Sequence, residues 1–178
     1  MKVPARIRKF AGPAILALIV CIPAQVWANQ GELTLFKENF YDRDQFGGPN
    51  VACDGIFHAD IGQNVPDLRR DFNYYHCDGE YSLTLEGPSG TTLTLYDQFE
   101  FGKNGGYLTI RKTDDRMIWV YEFENFPSDL WARYEFEEDK SSGAFEVYYH
   151  HAPLFKSNIS SIEWSPLGVE PARNAGGE

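Results

Sequence analysis

The chain predicts an all-β, antiparallel sandwich, and three observations carry that expectation. Short apolar–Thr alternations recur as Leu33-Thr-Leu-Phe36, Leu83-Thr-Leu-Glu86, Leu93-Thr-Leu-Tyr96 and Leu108-Thr-Ile-Arg111. Gly, Pro, Asn and Asp punctuate runs rich in aromatic and β-branched residues, which is the pattern of strands joined by tight turns. No segment keeps a helical period over three turns. In a strand, alternation sends the leucines to one face and the threonines to the other. Each such sheet then needs a second layer to cover its apolar side.

Taken in order, the first 28 residues stand apart. Lys2, Arg6, Arg8 and Lys9 form a basic stretch, and Ala14 to Ile22 is apolar but too short to span a bilayer. Val26-Trp27-Ala28 supplies compact residues for cleavage, so 1–28 reads as a secretory signal peptide cut after Ala28. Cys21 as a lipidation site and an uncleaved N-terminal anchor are the alternatives. The expected location is secreted or periplasmic, with no membrane association after cleavage.

Residues 29–164 form the expected single domain. Pro66 to Arg70 is a candidate helical turn, and Ser128 to Tyr134 another, capped by Ser128 or Asp129. Glu86 to Thr91 is a turn around Pro88. Phe101 to Gly106 is a second, with Gly102, Gly105 and Gly106 free to take positive φ, and 139–143 is a third. Residues 165–178 carry little apolar content and read as a disordered tail.

The net charge is −10, and all 26 acidic residues follow the leader, so the mature chain is more acidic still. An acidic surface disfavours nucleic acid, which is bound through basic patches. After cleavage two cysteines remain, Cys53 and Cys77. In an oxidising compartment they are expected to form a disulfide, contributing about 3 kcal/mol in the loop-entropy picture.

A family resemblance rests on the C-terminal stretch Phe155-Lys-Ser-Asn-Ile-Ser-Ser-Ile-Glu-Trp164. It resembles the closing strand of a βγ-crystallin Greek-key motif, roughly Phe-Asn-Asp-x-Val-Ser-Ser-Ile-x-Val. Cys77-Asp-Gly-Glu-Tyr-Ser-Leu-Thr-Leu85 is similar to the same segment. The opening hairpin of that motif, roughly Leu-Tyr-Glu-x-x-Asn-Phe-x-Gly, resembles three stretches: Leu35 to Asp42, Leu95 to Gly102 and Val120 to Ser128. The resemblance implies an antiparallel Greek-key β-sandwich. Its first motif would span about 32–86, and its second would start near 92, with a long insertion, or near 119.

In calcium-binding members of that family the ligands come from Asn/Asp-Asn/Asp-x-x-Ser/Thr-Ser, and calcium takes six to eight oxygens. Here Asp78 and Ser82 match in the first copy and Ser160 in the second. Cys77, Tyr81, Lys156 and Ser157 stand where ligands would be. The resemblance therefore implies calcium affinity that is weak or lost, and no other cofactor.

Nothing in the sequence assembles a catalytic motif, so no enzymatic activity is expected. His150 and His151 are adjacent on a strand and face apart. His58 and His76 lie near the cysteines without a zinc spacing. The acid pairs Asp42/Asp44 and Glu137/Glu138 serve a glycosidase only if a fold sets them across a cleft. Trp119, Tyr121, Trp131 and Tyr134 are expected in the core, with a surface stacking platform as the rival reading. The expectation is a non-enzymatic structural or binding protein whose partner, a protein or a glycan, is not specified. The alternatives are a secreted peptidase inhibitor working through the Cys53–Cys77 region and a carbohydrate-binding or adhesion module.

Overall fold

The Leu-Thr alternations become strands whose leucines meet in one core. A computed structural model describes residues 31–38, 55–76, 79–135 and 142–166. The strands are β1 (Glu32–Glu38), β2 (Gly55–Asp60), β3 (Glu80–Leu85), β4 (Thr92–Tyr96), β5 (Tyr107–Lys112), β6 (Ile118–Val120), β7 (Trp131–Tyr134), β8 (Phe145–His150) and β9 (Ser161–Ser165). One short helix, α1 (Leu68–Asp71), starts at Asp67, whose carboxylate accepts the Arg69 backbone N–H. The strands form two antiparallel sheets, in the orders β2-β1-β3-β6 and β7-β8-β5-β4-β9. Leu33, Leu35, Leu83, Leu85 and Ile118 of the first sheet and Leu93, Leu95, Leu108, Ile110 and Ile162 of the second are fully buried in a shared core. That arrangement is consistent with the expected β-sandwich. Each such side chain contributes about 1.5–3 kcal/mol through burial.

The two halves of the chain repeat one pairing scheme. In the first, β1 lies between β2 and β3, with Leu35 opposite Leu83 and Phe36 opposite Ser82. In the second, β4 lies between β5 and β9, with Leu95 opposite Ile162 and Tyr96 opposite Ser161. Each trio is extended by a piece of the other half. β6 pairs with β3, and Val65 bridges to Ile162 beside β9. The repeated pairing scheme begins at β4, near residue 92, and β7 and β8 lie outside β5.

Three local expectations are corrected. Residues 131–134 are a strand, not a helical turn, because they pair with β8 along its length. In the turn after β4, positive φ falls on Glu100 and Phe101, at 54° and 59°, while Gly102 has φ −63°. Thr84, Thr94 and Thr109 point away from the core yet are buried. Thr94 and Thr109 bond to each other at 3.0 Å, and Thr84 lies opposite Trp119. The turn at 86–91 does use glycine, with Gly87 at φ 132° and Gly90 at φ 89°.

Cys53, Cys77 and Asp78 lie outside the described residues, as do 1–30, 39–54, 136–141 and 167–178. The signal peptide, the disulfide, the acid pairs and the tail fall there. Ser165 belongs to β9, so the last strand runs one residue beyond the expected domain limit.

Candidate functional site

Two regions concentrate polar or aromatic groups that the fold itself does not require. The first is the corner where the two halves meet. Lys37 follows Leu33 and Leu35 on the inward face of β1 and is 1% exposed. Its ammonium donates to the carbonyl oxygens of Tyr75 at 2.8 Å and Ser157 at 3.3 Å, and to the Tyr81 hydroxyl at 3.4 Å. It also lies 4.5 Å from the Tyr81 ring centroid and 5.8 Å from that of Tyr75. Oxygens and π faces replace the water a buried ammonium loses. Burial, and then the neighbouring Tyr75, pushes the Tyr81 phenol well above its usual range, so it stays neutral.

Ser160, 1% exposed, has its hydroxyl 2.9 Å from that of Tyr75. Lys156 reaches Glu124 at 2.8 Å and Glu80 at 2.6 Å. Those two carboxylates hold its ammonium charged to higher pH than usual, Glu124 more strongly than Glu80. Ser82 is buried in β3 beside Phe36. So Ser82 lies within the first sheet, while Ser160 precedes β9 of the second. The oxygens that describe this corner are already engaged: Tyr75 and Ser157 by Lys37, Ser160 by Tyr75, Glu80 and Glu124 by Lys156. A calcium ion, which asks for six to eight oxygens, would have to share these with the two ammonium groups, and Asp78 lies outside the described residues. Among them, no group of three or more His, Cys, Asp or Glu is placed to hold a metal.

The neighbouring serine does a different job. Ser161 is fully buried, donates to the Gln98 carbonyl at 2.6 Å and accepts from the Phe101 N–H at 3.1 Å. It thereby fastens the β4–β5 connection, whose Glu100 and Phe101 hold a left-handed backbone costing roughly 1–3 kcal/mol each. Sequence reading singled out Ser160 and passed over Ser161. It also passed over Lys37, although a lysine in phase with Leu33 and Leu35 was a readable signal.

The second region is a groove of about 170 Å³ between the edge strand β6 and strands β7 and β8. Trp119, Tyr121, Phe126 and Tyr134 line it together with Glu122 and Asn125. The core expectation fails for two of the aromatics, since Trp119 is 48% and Tyr121 56% exposed. Trp131 and Tyr134 are half-buried. Trp119 stacks parallel to Phe36 at 6.0 Å. Phe126 meets Tyr134 edge-on at 5.1 Å. Glu122 adopts a left-handed backbone, φ 52° and ψ 54°, and its carboxylate accepts from the Asn125 amide at 2.7 Å.

The histidines are engaged elsewhere. His58 pairs with Glu32, and His150 lies 2.6 Å from Asp129. His76 packs edge-on against Tyr75. No helix among the described residues is long and apolar enough to cross a membrane. No protein-family model, no curated protein and no solved structure matches the chain.

Proposed function

We propose that the chain is a secreted or periplasmic, non-enzymatic βγ-crystallin-like protein, whose Greek-key sandwich is held together without calcium and serves a binding role. The repeated strand order supports the family reading. Each half keeps three paired strands and exchanges one segment with the other, in matching register. The Ser161 bonds to the β4–β5 connection support it as well, because the resemblance puts that serine in the closing strand of the second motif.

The observation that carries the calcium-free reading is the pair of ammonium groups at the corner. Lys37 sits on backbone carbonyls, and Lys156 bridges two carboxylates. A resident positive charge on those oxygens opposes the entry of another. Thermal melting in millimolar calcium against chelator tests it. A ligand bound only by the native state must raise the melting temperature. The expected result is the same midpoint in both, and a rise with calcium overturns the reading.

A binding role is preferred to a purely structural one because of Trp119 and Tyr121. Large aromatics exposed together around a groove mark an interaction site more often than they serve solubility.

A further inference from the structure

We propose that the groove beside β6 binds a small quaternary ammonium ligand of the choline type. Trp119 and Tyr121 come from β6 and the residue after it, Phe126 from the following turn, and Tyr134 from the end of β7. Trp119 stacks one face on Phe36, Tyr134 stacks one face on Phe145, and Phe126 meets Tyr134 edge-on, leaving the rest of these rings to line the cavity. The face of an aromatic ring carries negative potential, and several faces around one point attract a cation.

Charge selects the same ligand. Among the described residues, Glu122 is the one charged residue lining the groove. Lys156, the nearby base, is committed to Glu80 and Glu124. Its described lining therefore offers aromatic rings and a carboxylate to a positive group and no base to a negative one. Its carboxylate is also held in place. The left-handed backbone at Glu122 starts the turn, the Glu122 carbonyl accepts the Asn125 N–H at 2.9 Å, and the Asn125 amide grips one carboxylate oxygen. Non-glycine residues in that conformation cluster at functional sites.

A primary ammonium is compact and strongly hydrated, and it gives up that water reluctantly. A quaternary ammonium presents methyl groups to the rings and makes no hydrogen bonds that the groove must satisfy. A sugar ring needs several fixed donors and acceptors, and this lining is mostly apolar. The cavity, about 170 Å³, has room for a trimethylated head with its tail running out to solvent.

The test is titration of the mature protein with choline, followed by calorimetry and tryptophan fluorescence, with 3,3-dimethylbutanol as the neutral isostere. The expected result is saturable binding of choline and at least about tenfold weaker binding of the isostere. Trp119→Ala and Glu122→Gln should each weaken choline binding by about fivefold or more in proteins that still melt cooperatively. Both side chains are exposed, so neither change is expected to unfold the domain. Four outcomes overturn the proposal: no saturation with choline, equal affinity for the isostere, choline binding untouched by both substitutions, or a neutral oligosaccharide occupying the groove in preference to choline. Sedimentation with phosphatidylcholine vesicles without binding of free choline overturns it too, since the ligand would then be a membrane surface. None of these results depends on the response to calcium, so this proposal and the functional reading above fail separately.

Discussion

Val65 and Ile162 exchange two backbone hydrogen bonds, from Val65 N–H at 2.8 Å and from Ile162 N–H at 2.9 Å. The pair joins the first half of the chain to the last strand of the second. Val65→Pro removes one donor and leaves the Ile162 carbonyl without it. Val65 already precedes Pro66, and its side chain is 2% exposed in the core, so packing is lost together with the bond. We expect a loss of about 2 kcal/mol, read as a lower denaturant midpoint at unchanged slope. An unchanged midpoint would mean that the exchange contributes nothing.

The adjacent serines should separate sharply. Ser161→Ala strands the Phe101 N–H and the Gln98 carbonyl beneath a strained turn. A loss of about 2–3 kcal/mol is expected. Ser160→Ala forfeits only a hydroxyl pair with Tyr75, for about 1 kcal/mol. Equal losses in urea denaturation would refute the distinction.

Lys37→Met keeps the length and apolar stem of the side chain but removes its charge. The Tyr75 and Ser157 carbonyls stay where they are and lose a donor. Replacing a whole buried ion pair by apolar groups is often neutral. Here the Tyr75 and Ser157 acceptors are main chain and cannot be replaced, so about 2–3 kcal/mol should be lost. A variant as stable as the parent contradicts the role given to this ammonium.

Alkaline titration has a definite sign. Burial raises the Tyr81 and Tyr96 phenols above their ordinary value of 10.0, with a Glu163 hydrogen bond adding to the effect at Tyr96. The unfolded chain then releases those protons first. Their contribution is complete below pH 10.0 and is lost as pH rises through the folded values. Lys112 works in the opposite sense, because burial lowers it from 10.5 and its contribution improves as pH approaches that figure. Denaturation midpoints should therefore fall above pH 10.5, and Tyr96→Phe should flatten the fall. A midpoint that climbs through that range excludes the assignment.

The strands built on Leu-Thr-Leu were legible because local alternation and tertiary burial ask for the same residues. Trp131–Tyr134 was not, because its strand character comes from pairing with Phe145 to Tyr148 rather than from its own pattern. Ser128 and Asp129 resemble a helix cap but instead engage His151 N–H and the His150 ring. At the site, composition could mark Trp119 and Tyr121 as aromatic but not as exposed. That depends on β6 being the last strand of its sheet. The engagement of Ser160 by Tyr75 likewise appears only when distant segments are brought together.

The exchange of segments between the halves also governs when the chain can fold. β9 supplies the partner for both β4 and Val65, and it lies at the C-terminal end of the described chain. The second sheet cannot close until residues 161–165 have been synthesised. The first sheet lacks its edge until β6 has appeared. Such pairings span long stretches of sequence and close slowly. A nascent chain would then stay open at least until residue 165 has left the ribosome, with its apolar strand faces exposed to other chains in the meantime.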